Sequence, residues 1–386
     1  TPAPAPKVCG WCPSALRPMM SGDGLVVRIR PPMGRLSRPQ AGAVAALSRR
    51  FGNGILDLSA RASLQLRGVR PEDHAALIAA LQDHGLVERD AGVEARRNLL
   101  LTPFWAAGDR SQRIAADLSA RLAAAPDLDL PGKFGFAVDA GDSPVLQQVA
   151  ADIRIEGAGE ALTLRADGAD LARQVTEQTA AAAAIALARW FLAEGGAPEG
   201  RGRMHRLIAR RGPPPAHDAP GATSAYTAAP GPLAGGRLVA LEFGQLPAAT
   251  LAALANAAPL RLTPWRMLLL EGVSDIAALP GLILETPDPR LQVSACTGAP
   301  GCLQAQAQTR ALARDLAPML PAGLHLHVSG CAKGCAHPGA ADLTLTATGP
   351  DTFDLIRGGR ADARPARRSL SATTLRRTPD VLTKDT

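Results

Sequence analysis

The sequence predicts an α+β protein of 386 residues in which one arrangement of strands and helices occurs twice. Residues 24–69 and 236–273 each predict a strand, a short turn, an Ala/Leu-rich helix and a strand that ends in Gly-Val. A second pair of similar stretches, residues 136–157 and 326–347, follows the first pair in the same order. Because both pairs keep this order, we predict an A–B–A′–B′ duplication rather than a chance similarity of strand–helix–strand units.

Each A unit is predicted to be a small α+β layer, with a helix after Pro39 in the first copy and after Pro247 in the second. Each B unit is predicted to combine strands with longer helices, at residues 110–125 in B and 303–320 in B′. The helix in B′ would begin directly after Cys302 and place that sulfur at its positive end.

Composition sets the limits of these units. A stretch rich in Pro, Ala and Gly separates the two halves, and the basic C-terminal stretch predicts a disordered tail. The predicted units are the N-terminal loop with the first A unit (1–88), the first B unit, without cysteines (89–209), the linker (210–232), the second A unit (233–288), the second B unit, with four cysteines (289–362), and the tail (363–386).

The formal charge of +7 does not indicate a nucleic-acid partner. Residues 357–386 hold eight Lys/Arg and three Asp, which accounts for most of this charge, and aromatic residues for base stacking make up only 3%. The most apolar helix candidate, residues 179–193, is too short for a membrane span and contains Arg189. The N-terminus lacks the apolar core of a secretory signal. We therefore expect a cytoplasmic monomer that binds neither nucleic acid nor membrane.

Four cysteines of the second B unit give the strongest chemical signal. Cys296 and Cys302 form C-x5-C, and Cys331 and Cys335 form C-x3-C after 28 further residues. Both spacings are wider than in most zinc knuckles, and four thiolates without an obvious histidine partner suit a 4Fe-4S cluster. Structural zinc is the alternative. Nearby glycines such as Gly330 would let backbone amides approach the sulfurs.

Other potential ligands have simpler interpretations. His325 and His327 alternate with leucines on a predicted strand, and His337 lies just after the cysteines. A hydrogen-bonded structural role is the better interpretation for each histidine. Cys9 and Cys12 form a CGWC pair, but a thioredoxin-like redox pair needs a following helix, and the next residues predict a loop.

The order of units and the C-x5-C…C-x3-C spacing resemble the nitrite/sulfite reductase superfamily. The resemblance covers about residues 24–360. It implies a pseudo-twofold duplicated fold with two ferredoxin-like half-domains (the A units) and two α/β half-domains (the B units), and a 4Fe-4S cluster beside a tetrapyrrole. Residues 12–31, 328–345 and 353–361 are similar to one branch, the precorrin-3B synthases of aerobic cobalamin biosynthesis.

The resemblance also implies where an anionic tetrapyrrole would be bound. A macrocycle with many carboxylates suits a rim of arginines, because guanidinium binds carboxylate through two hydrogen bonds. Ala62 replaces a glutamine and Gly135 replaces a lysine of the reductases. The lost cation weakens small-anion reduction, and the glycine would leave room for a larger substrate. The predicted substrate-binding residues are Arg28, Arg30, Arg61, Gln65, Arg67, Arg97 and Lys133.

The resemblance implies an oxygen-dependent monooxygenase that hydroxylates precorrin-3A at C-20 and forms a lactone from the ring A acetate. The cluster would pass on single electrons from an NADH-linked partner reductase. A mononuclear non-haem iron is also implied, although the sequence shows no His-x-Asp/Glu facial triad. The alternatives are a sirohaem-dependent nitrite or sulfite reductase and a non-enzymatic, cluster-bearing tetrapyrrole-binding protein. No catalytic residue is assigned from the sequence.

Overall fold

The computed structural model describes residues 13–384, so the predicted pair Cys9 and Cys12 lies outside the described residues. The elements of the first half, through the first B unit and into the linker, are β1 (Met19–Ser21), β2 (Gly24–Ile29), β3 (Arg35–Leu36), α1 (Arg38–Phe51), β4 (Ile55–Leu58), β5 (Leu64–Val69), α2 (His74–Asp83), α3 (Ala91–Arg96), β6 (Leu99–Leu101), α4 (Arg110–Ala123), β7 (Phe136–Asp139), β8 (Ile153–Ala158), β9 (Ala161–Ala166), β10 (Leu171–Gln174), α5 (Glu177–Ala193), α6 (Met204–Arg211) and β11 (Ala219–Pro220).

The second half follows the same order. Its elements are β12 (Gly231–Leu233), β13 (Gly236–Leu241), β14 (Gln245–Pro247), α7 (Ala248–Ala257), β15 (Leu260–Leu262), β16 (Met267–Glu271), β17 (Leu282–Ile283), β18 (Val293–Ala295), α8 (Arg310–Leu316), β19 (Leu326–Ser329), β20 (Ala341–Gly349), β21 (Thr352–Gly359), β22 (Arg367–Ser371) and α9 (Ala372–Arg377).

Local chemistry explains why α1 begins where the sequence predicts a helix. The Ser37 hydroxyl accepts a hydrogen bond from the Gln40 amide at 3.4 Å, and the Gln40 side chain accepts one from the Ser37 amide at 3.0 Å. This reciprocal capping box satisfies amides that a helix start leaves unpaired. The buried face of α1, including Val44, shares one hydrophobic core with Leu251 of α7, so the helices of the two A units pack together.

The two ferredoxin-like half-domains exchange a short strand. The first sheet has the order β1-β2-β5-β4-β14, and the second has the order β12-β13-β16-β15-β3. Leu246 of the second copy pairs with Leu56 of the first, and Leu36 of the first copy pairs with Leu260 of the second. Each sheet is therefore completed by the other half of the chain, which joins the two copies into one unit.

Backbone conformation repeats along with topology. Met33 and Phe243 occupy matching turns, both with φ of 54°. Ala62 and Arg266 also match, with φ of 49° and 58°. Left-handed backbone is uncommon for residues other than glycine, so its recurrence at matching positions supports the predicted duplication.

The α/β half-domains also share a plan. In the first, β6, β7 and β8 are parallel, and in the second, β18, β19 and β20 are parallel, with antiparallel strands following in each. The Asp152 carboxylate accepts the Gly135 amide at 3.0 Å, and the Asp342 carboxylate accepts the His325 amide at 2.8 Å. Asp152 and Asp342 occupy matching positions of the paired stretches 136–157 and 326–347, and their hydrogen bonds match as well.

The prediction of a helix over residues 303–320 is wrong at its start. Helix α8 covers only Arg310–Leu316, and Cys302 is not at a helix terminus. The backbone of the preceding segment bonds elsewhere: the Gln306 amide donates to the Gly330 carbonyl at 2.8 Å. These tertiary bonds override the helix propensity of an Ala/Gln-rich stretch.

The predicted disordered tail is folded over residues 363–384. Strand β22 pairs with β21, and Ser371 caps α9 by accepting the Thr374 amide at 2.9 Å. Leu375 and Leu382 are buried in the core of the second α/β half-domain. Composition favoured disorder because the segment is basic, but its few apolar residues are spaced so that they reach the core.

The predicted linker, residues 210–232, also contributes to the fold. Its β11 adds to the edge of the first α/β sheet beside β10, and β12 begins at Gly231. No helix among residues 13–384 combines the length and the hydropathy that crossing a membrane would require.

Candidate functional site

Two of the four cysteines follow neighbouring parallel strands. Cys296 comes directly after β18, and Cys331 comes two residues after β19. Ala295 and Val328 are paired residues of these strands, and the Cys296 amide donates to the Val328 carbonyl at 3.4 Å. Because the carboxyl ends of parallel strands meet at one edge of a sheet, the topology brings C-x5-C and C-x3-C together.

The four thiols lie within electrostatic reach of one another. Burial, together with negative charge on Cys296, Cys331 and Cys302, raises the pKa of Cys335 to about 11, and the charge of Lys333 opposes this rise. Burial also raises the pKa of Cys331, again with a contribution from Cys296 and Cys302. Four thiolates in one place require positive charge to compensate them.

Glycine allows close packing around Cys296. The Gly330 amide donates to the Cys296 sulfur at 3.2 Å. A Cβ on Gly330 would lie 2.7 Å from the Ala305 Cβ and 3.5 Å from that sulfur, so a side chain here would force the loops apart. Gly298 has φ of +71°, and a Cβ there would meet the Thr309 hydroxyl at 2.6 Å. The two loops that carry the four cysteines, residues 296–309 and 330–340, are called the cysteine loops below. Their glycines allow a backbone amide to approach the Cys296 sulfur closely.

Four cysteine sulfurs are the donor set that an iron–sulfur cluster uses. Within residues 13–384, no three Cys, His, Asp or Glu side chains are close enough together to hold one metal ion. A zinc ion would need its sulfurs within about 2.3 Å of one point. A cubane does not, because each of its irons takes one thiolate. The same observation leaves the implied mononuclear iron without a ligand set among the described residues.

The first half of the chain holds the loop that carries Cys302. The Ser21 hydroxyl donates to the Gly301 carbonyl at 2.6 Å, and the Gly22 amide donates to it at 3.2 Å. The Arg67 guanidinium donates to the same carbonyl at 2.6 Å and pairs with Asp23 at 2.7 Å. Arg67, predicted to bind substrate, is thus engaged by groups of the protein itself.

Sequence analysis missed Arg266. Its guanidinium donates to the Ala336 carbonyl at 2.8 Å, beside Cys335. Burial lowers the pKa of Arg266, the positive charge of Arg310 lowers it further, and negative charge on Cys296 opposes this. The duplication could have indicated this residue, because Arg266 occupies the place that Ala62 occupies in the first copy.

A cleft in the first half of the chain brings several predicted residues together. Arg30 and Arg61 line it, together with Asn98 and Gly135. Leu99, Leu100, Leu101 and Phe136 contribute its apolar walls. Apolar side chains together with arginines are the groups that a macrocycle with carboxylates would bind.

The remaining predicted residues are not among those that line this cleft. Arg28 and Gln65 are partners across β2 and β5, and the Arg28 guanidinium donates to the Gln65 side chain at 3.0 Å. Arg97 pairs with Glu88 and donates to the Arg30 carbonyl at 3.3 Å.

Lys133 and Gly135 lie just before β7. Lys133 is exposed, two residues before Gly135. A Cβ on Gly135 would lie 2.8 Å from the side-chain nitrogen of Asn98, which donates to the Phe134 carbonyl at 2.6 Å. We expected the glycine to leave room for a larger substrate. Asn98 fills the space directly beside it, so close packing by Asn98 is the immediate reason for glycine here.

The three histidines form a group of rings beside the cysteine loops. The centroids of the His325 and His337 rings are 4.5 Å apart, and those of His327 and His337 are 5.8 Å apart. His325 bonds Ser294 at 2.9 Å, and His337 bonds the Ala340 carbonyl at 3.0 Å. Neither ring nitrogen of the buried His327 has a hydrogen-bond partner among residues 13–384. Burial, with the neighbouring His337, His325 and Arg266, lowers its pKa to about 4.

The fold and this site define a protein of the nitrite/sulfite reductase type. Residues 17–84 match the nitrite/sulfite reductase ferredoxin-like half domain. The chain is similar in structure to the NirA protein of Mycobacterium tuberculosis, with a TM-score of 0.68 and 20% sequence identity over 92% of this chain and 79% of that one. That likeness confirms the predicted duplicated α+β fold.

Sequence similarity identifies the family. The chain is 32% identical to the precorrin-3B synthase of Sinorhizobium sp, over 92% of this chain and 84% of that protein. It is also 32% identical to the ferredoxin–nitrite reductase of Leptolyngbya laminosa, but over only 24% of this chain and 18% of that protein. The chain belongs to the precorrin-3B synthase family.

Proposed function

We propose that this chain is a monooxygenase that hydroxylates precorrin-3A at C-20 and closes a lactone from the ring A acetate. The main support is that four mutually close thiols and an arginine-lined cleft occur in one chain that is similar to a precorrin-3B synthase over 92% of its length. Precorrin-3A carries several carboxylates around an apolar ring, and the cleft offers the complementary groups.

Cys296, Cys302, Cys331 and Cys335 are the proposed ligands of a 4Fe-4S cluster, which when bound would pass single electrons toward the substrate. Gly330 donates an amide hydrogen to the Cys296 sulfur, and Arg266 adds a buried positive charge nearby. Both features would stabilise the negative charge that four thiolates bring. The electrons would come from an NADH-linked partner reductase.

Substrate carboxylates are proposed to bind Arg30 and Arg61, which line the cleft. Arg28, Gln65, Arg97 and Lys133 are proposed as further contacts of a substrate that extends beyond it. Arg67 is left out of this set, because its guanidinium is engaged by Asp23, Asp57 and Gly301. In the overall reaction one oxygen atom of O2 enters the macrocycle and the other leaves as water. Two electrons and two protons are consumed.

The test is to purify the protein without oxygen, reconstitute the cluster and add precorrin-3A, O2 and a reductant. We expect the macrocycle to gain one oxygen atom in mass. Cys331→Ser should lose both the cluster and the product, and Gly42→Ala, at an uncrowded helix position, should retain both. Turnover that survives loss of the cluster would contradict the electron-transfer role.

A sirohaem-dependent reductase is the second candidate, favoured by the partial similarity to ferredoxin–nitrite reductases. It predicts a tightly bound sirohaem with its visible absorption bands in the purified protein, and reduction of nitrite or sulfite. Binding of the macrocycle without consumption of O2 would instead support the non-enzymatic alternative.

A further inference from the structure

Glu94 is a buried carboxyl group beside the cleft that the proposed reaction does not yet use. It lies in α3, and its side chain is only 3% exposed. Its Oε1 lies 3.8 Å from Nη1 of Arg30, which lines the cleft. That distance is too long for a hydrogen bond, and within residues 13–384 this oxygen has no hydrogen-bond partner.

The charged groups around Glu94 come from the segments packed against it. Arg30 follows β2, Arg97 follows α3, and Glu88 lies in the loop before α3. Burial raises the pKa of Glu94, and the charges of Arg30 and Arg97 and the Glu88 amide oppose this rise. The charge of Glu88 raises the pKa slightly further. The protonation of Glu94 therefore depends on how fully Arg30 compensates its negative charge.

A ligand carboxylate would change that compensation. A carboxylate that binds Arg30 from the cleft would share the same guanidinium with Glu94. Two carboxylates on one cation repel each other, and a buried carboxylate without full compensation is costly. Protonation of Glu94 removes the repulsion, and Oε1 has no competing hydrogen bond to lose.

We propose that Glu94 takes up one proton from solvent when a ligand carboxylate binds Arg30, so that binding of the macrocycle is coupled to proton uptake. The proton is added to the Glu94 carboxylate, no electron moves, and the proton returns to solvent when the ligand leaves. The inference rests on the proposed function for the chemical class of the ligand. Glu94 is a positioning residue, because it acts on the ligand through Arg30.

Uroporphyrin III, a stable tetrapyrrole with carboxylates around its rim, is the probe. Calorimetric titration in two buffers with different ionisation enthalpies counts the protons taken up on binding. We expect wild type to take up more protons than Glu94→Gln, by up to about one per ligand. The variant corrects for protons that the probe itself exchanges.

The pH dependence has a definite sign. Binding favours the protonated carboxyl, so affinity is highest below the pKa of Glu94 in the free protein. It falls by up to about tenfold per pH unit until the pH reaches the higher pKa of the complex. Glu94→Gln should lack this component, and Arg30→Gln should lose the same component, which keeps the test decisive if one variant does not fold.

Glu156→Gln is the matched control. Glu156 is also buried and pairs with an arginine, Arg165 at 2.6 Å, but it lies on β8 of the first α/β half-domain. This variant should keep the proton uptake of wild type. Equal uptake by wild type and Glu94→Gln, or a loss of affinity in Glu94→Gln that is the same at every pH, would overturn the inference. Failure of uroporphyrin to bind wild type would overturn the proposed function as well, whereas binding without this uptake would overturn the inference alone.

Discussion

The Arg67 guanidinium donates to the Gly301 carbonyl at 2.6 Å and so connects a strand of the first half of the chain to the loop that carries Cys302. Arg67 also pairs with Asp23 and Asp57, and Asp57 pairs in turn with Arg310 at 2.7 Å. A chain of buried charges thus runs from the first sheet to the start of α8. It is one of the features that position the cysteine loops.

Replacement of Arg67 should therefore destabilise the protein and loosen the cysteine loop. We expect Arg67→Met to lower the free energy of unfolding by about 3 kcal/mol, because the buried Asp57 loses one of its two arginine partners and the half-buried Asp23 loses its salt bridge. Denaturant unfolding measures the change. Arg70→Met is the control: Arg70 is exposed and pairs with Asp73, so a loss of at most about 1 kcal/mol is expected. Equal losses in both variants would contradict the structural role of Arg67.

Gly330 should be essential for cluster binding. In Gly330→Ala the new Cβ would lie 2.7 Å from the Ala305 Cβ, which must move the amide that donates to the Cys296 sulfur. We expect the iron and acid-labile sulfide retained per chain to fall at least several-fold. Gly42→Ala should retain the wild-type iron content and stabilise α1 by about 0.5–1 kcal/mol, since nothing lies within 4 Å of its added Cβ. Full iron content in Gly330→Ala would show that the close approach is not needed.

The exchanged strands should make the two ferredoxin-like half-domains unfold together. Leu36 is fully buried on β3, in the sheet of the second copy. We expect Leu36→Ala to cost about 2–5 kcal/mol and to shift one common transition. Fluorescence and far-UV circular dichroism should report the same denaturation midpoint. Leu303→Ala is the control, because Leu303 is 71% exposed and its truncation should cost little. Two separate transitions in the variant would argue against coupling through the exchange.

His217 should make stability depend on pH. Burial lowers its pKa below the ordinary value of 6.5. The unfolded chain then binds a proton at a pH where the folded protein does not, so stability is highest above 6.5 and falls as the pH decreases. We expect His217→Gln to lose less stability than wild type between about pH 7 and pH 5. Parallel unfolding curves for the two proteins across this interval would refute the assignment.

The duplication could be predicted because each copy has the same local pattern of apolar and polar residues along the chain. Residues 248–257 were predicted to be helical, and α7 covers Ala248–Ala257. The four cysteines were recognisable because their spacing, chemistry and adjacent glycines are all local features. The exchange of β3 and β14 was not predictable, because strands of two or three residues carry no periodic signal and their partners lie about 200 residues away in the chain.

The wrong predictions share one physical cause: contacts with distant segments of the chain decide the local structure, and residue composition does not encode those contacts. Residues 303–309 have helix-forming composition, but bonds such as that from Gln306 to Gly330 hold them in a loop. The tail has a composition typical of disorder, yet Leu375 and Leu382 reach the core. Arg67 and Arg30 look alike in the sequence, but Arg67 bonds the loop that carries Cys302, whereas Arg30 lies beside Glu94 and lines the cleft.

The sequence by itself determined the duplicated order of elements, the cysteine spacing and the family, since these depend on residue identity and on neighbours along the chain. Only the tertiary structure decided which arginines form salt bridges with carboxylates of the protein, that Asn98 packs against Gly135, and that the Glu94 carboxyl group lies beside the Arg30 guanidinium. The reason is that a side chain's charge partner and its burial depend on which distant segments pack beside it. Composition and periodicity do not specify which segments those are.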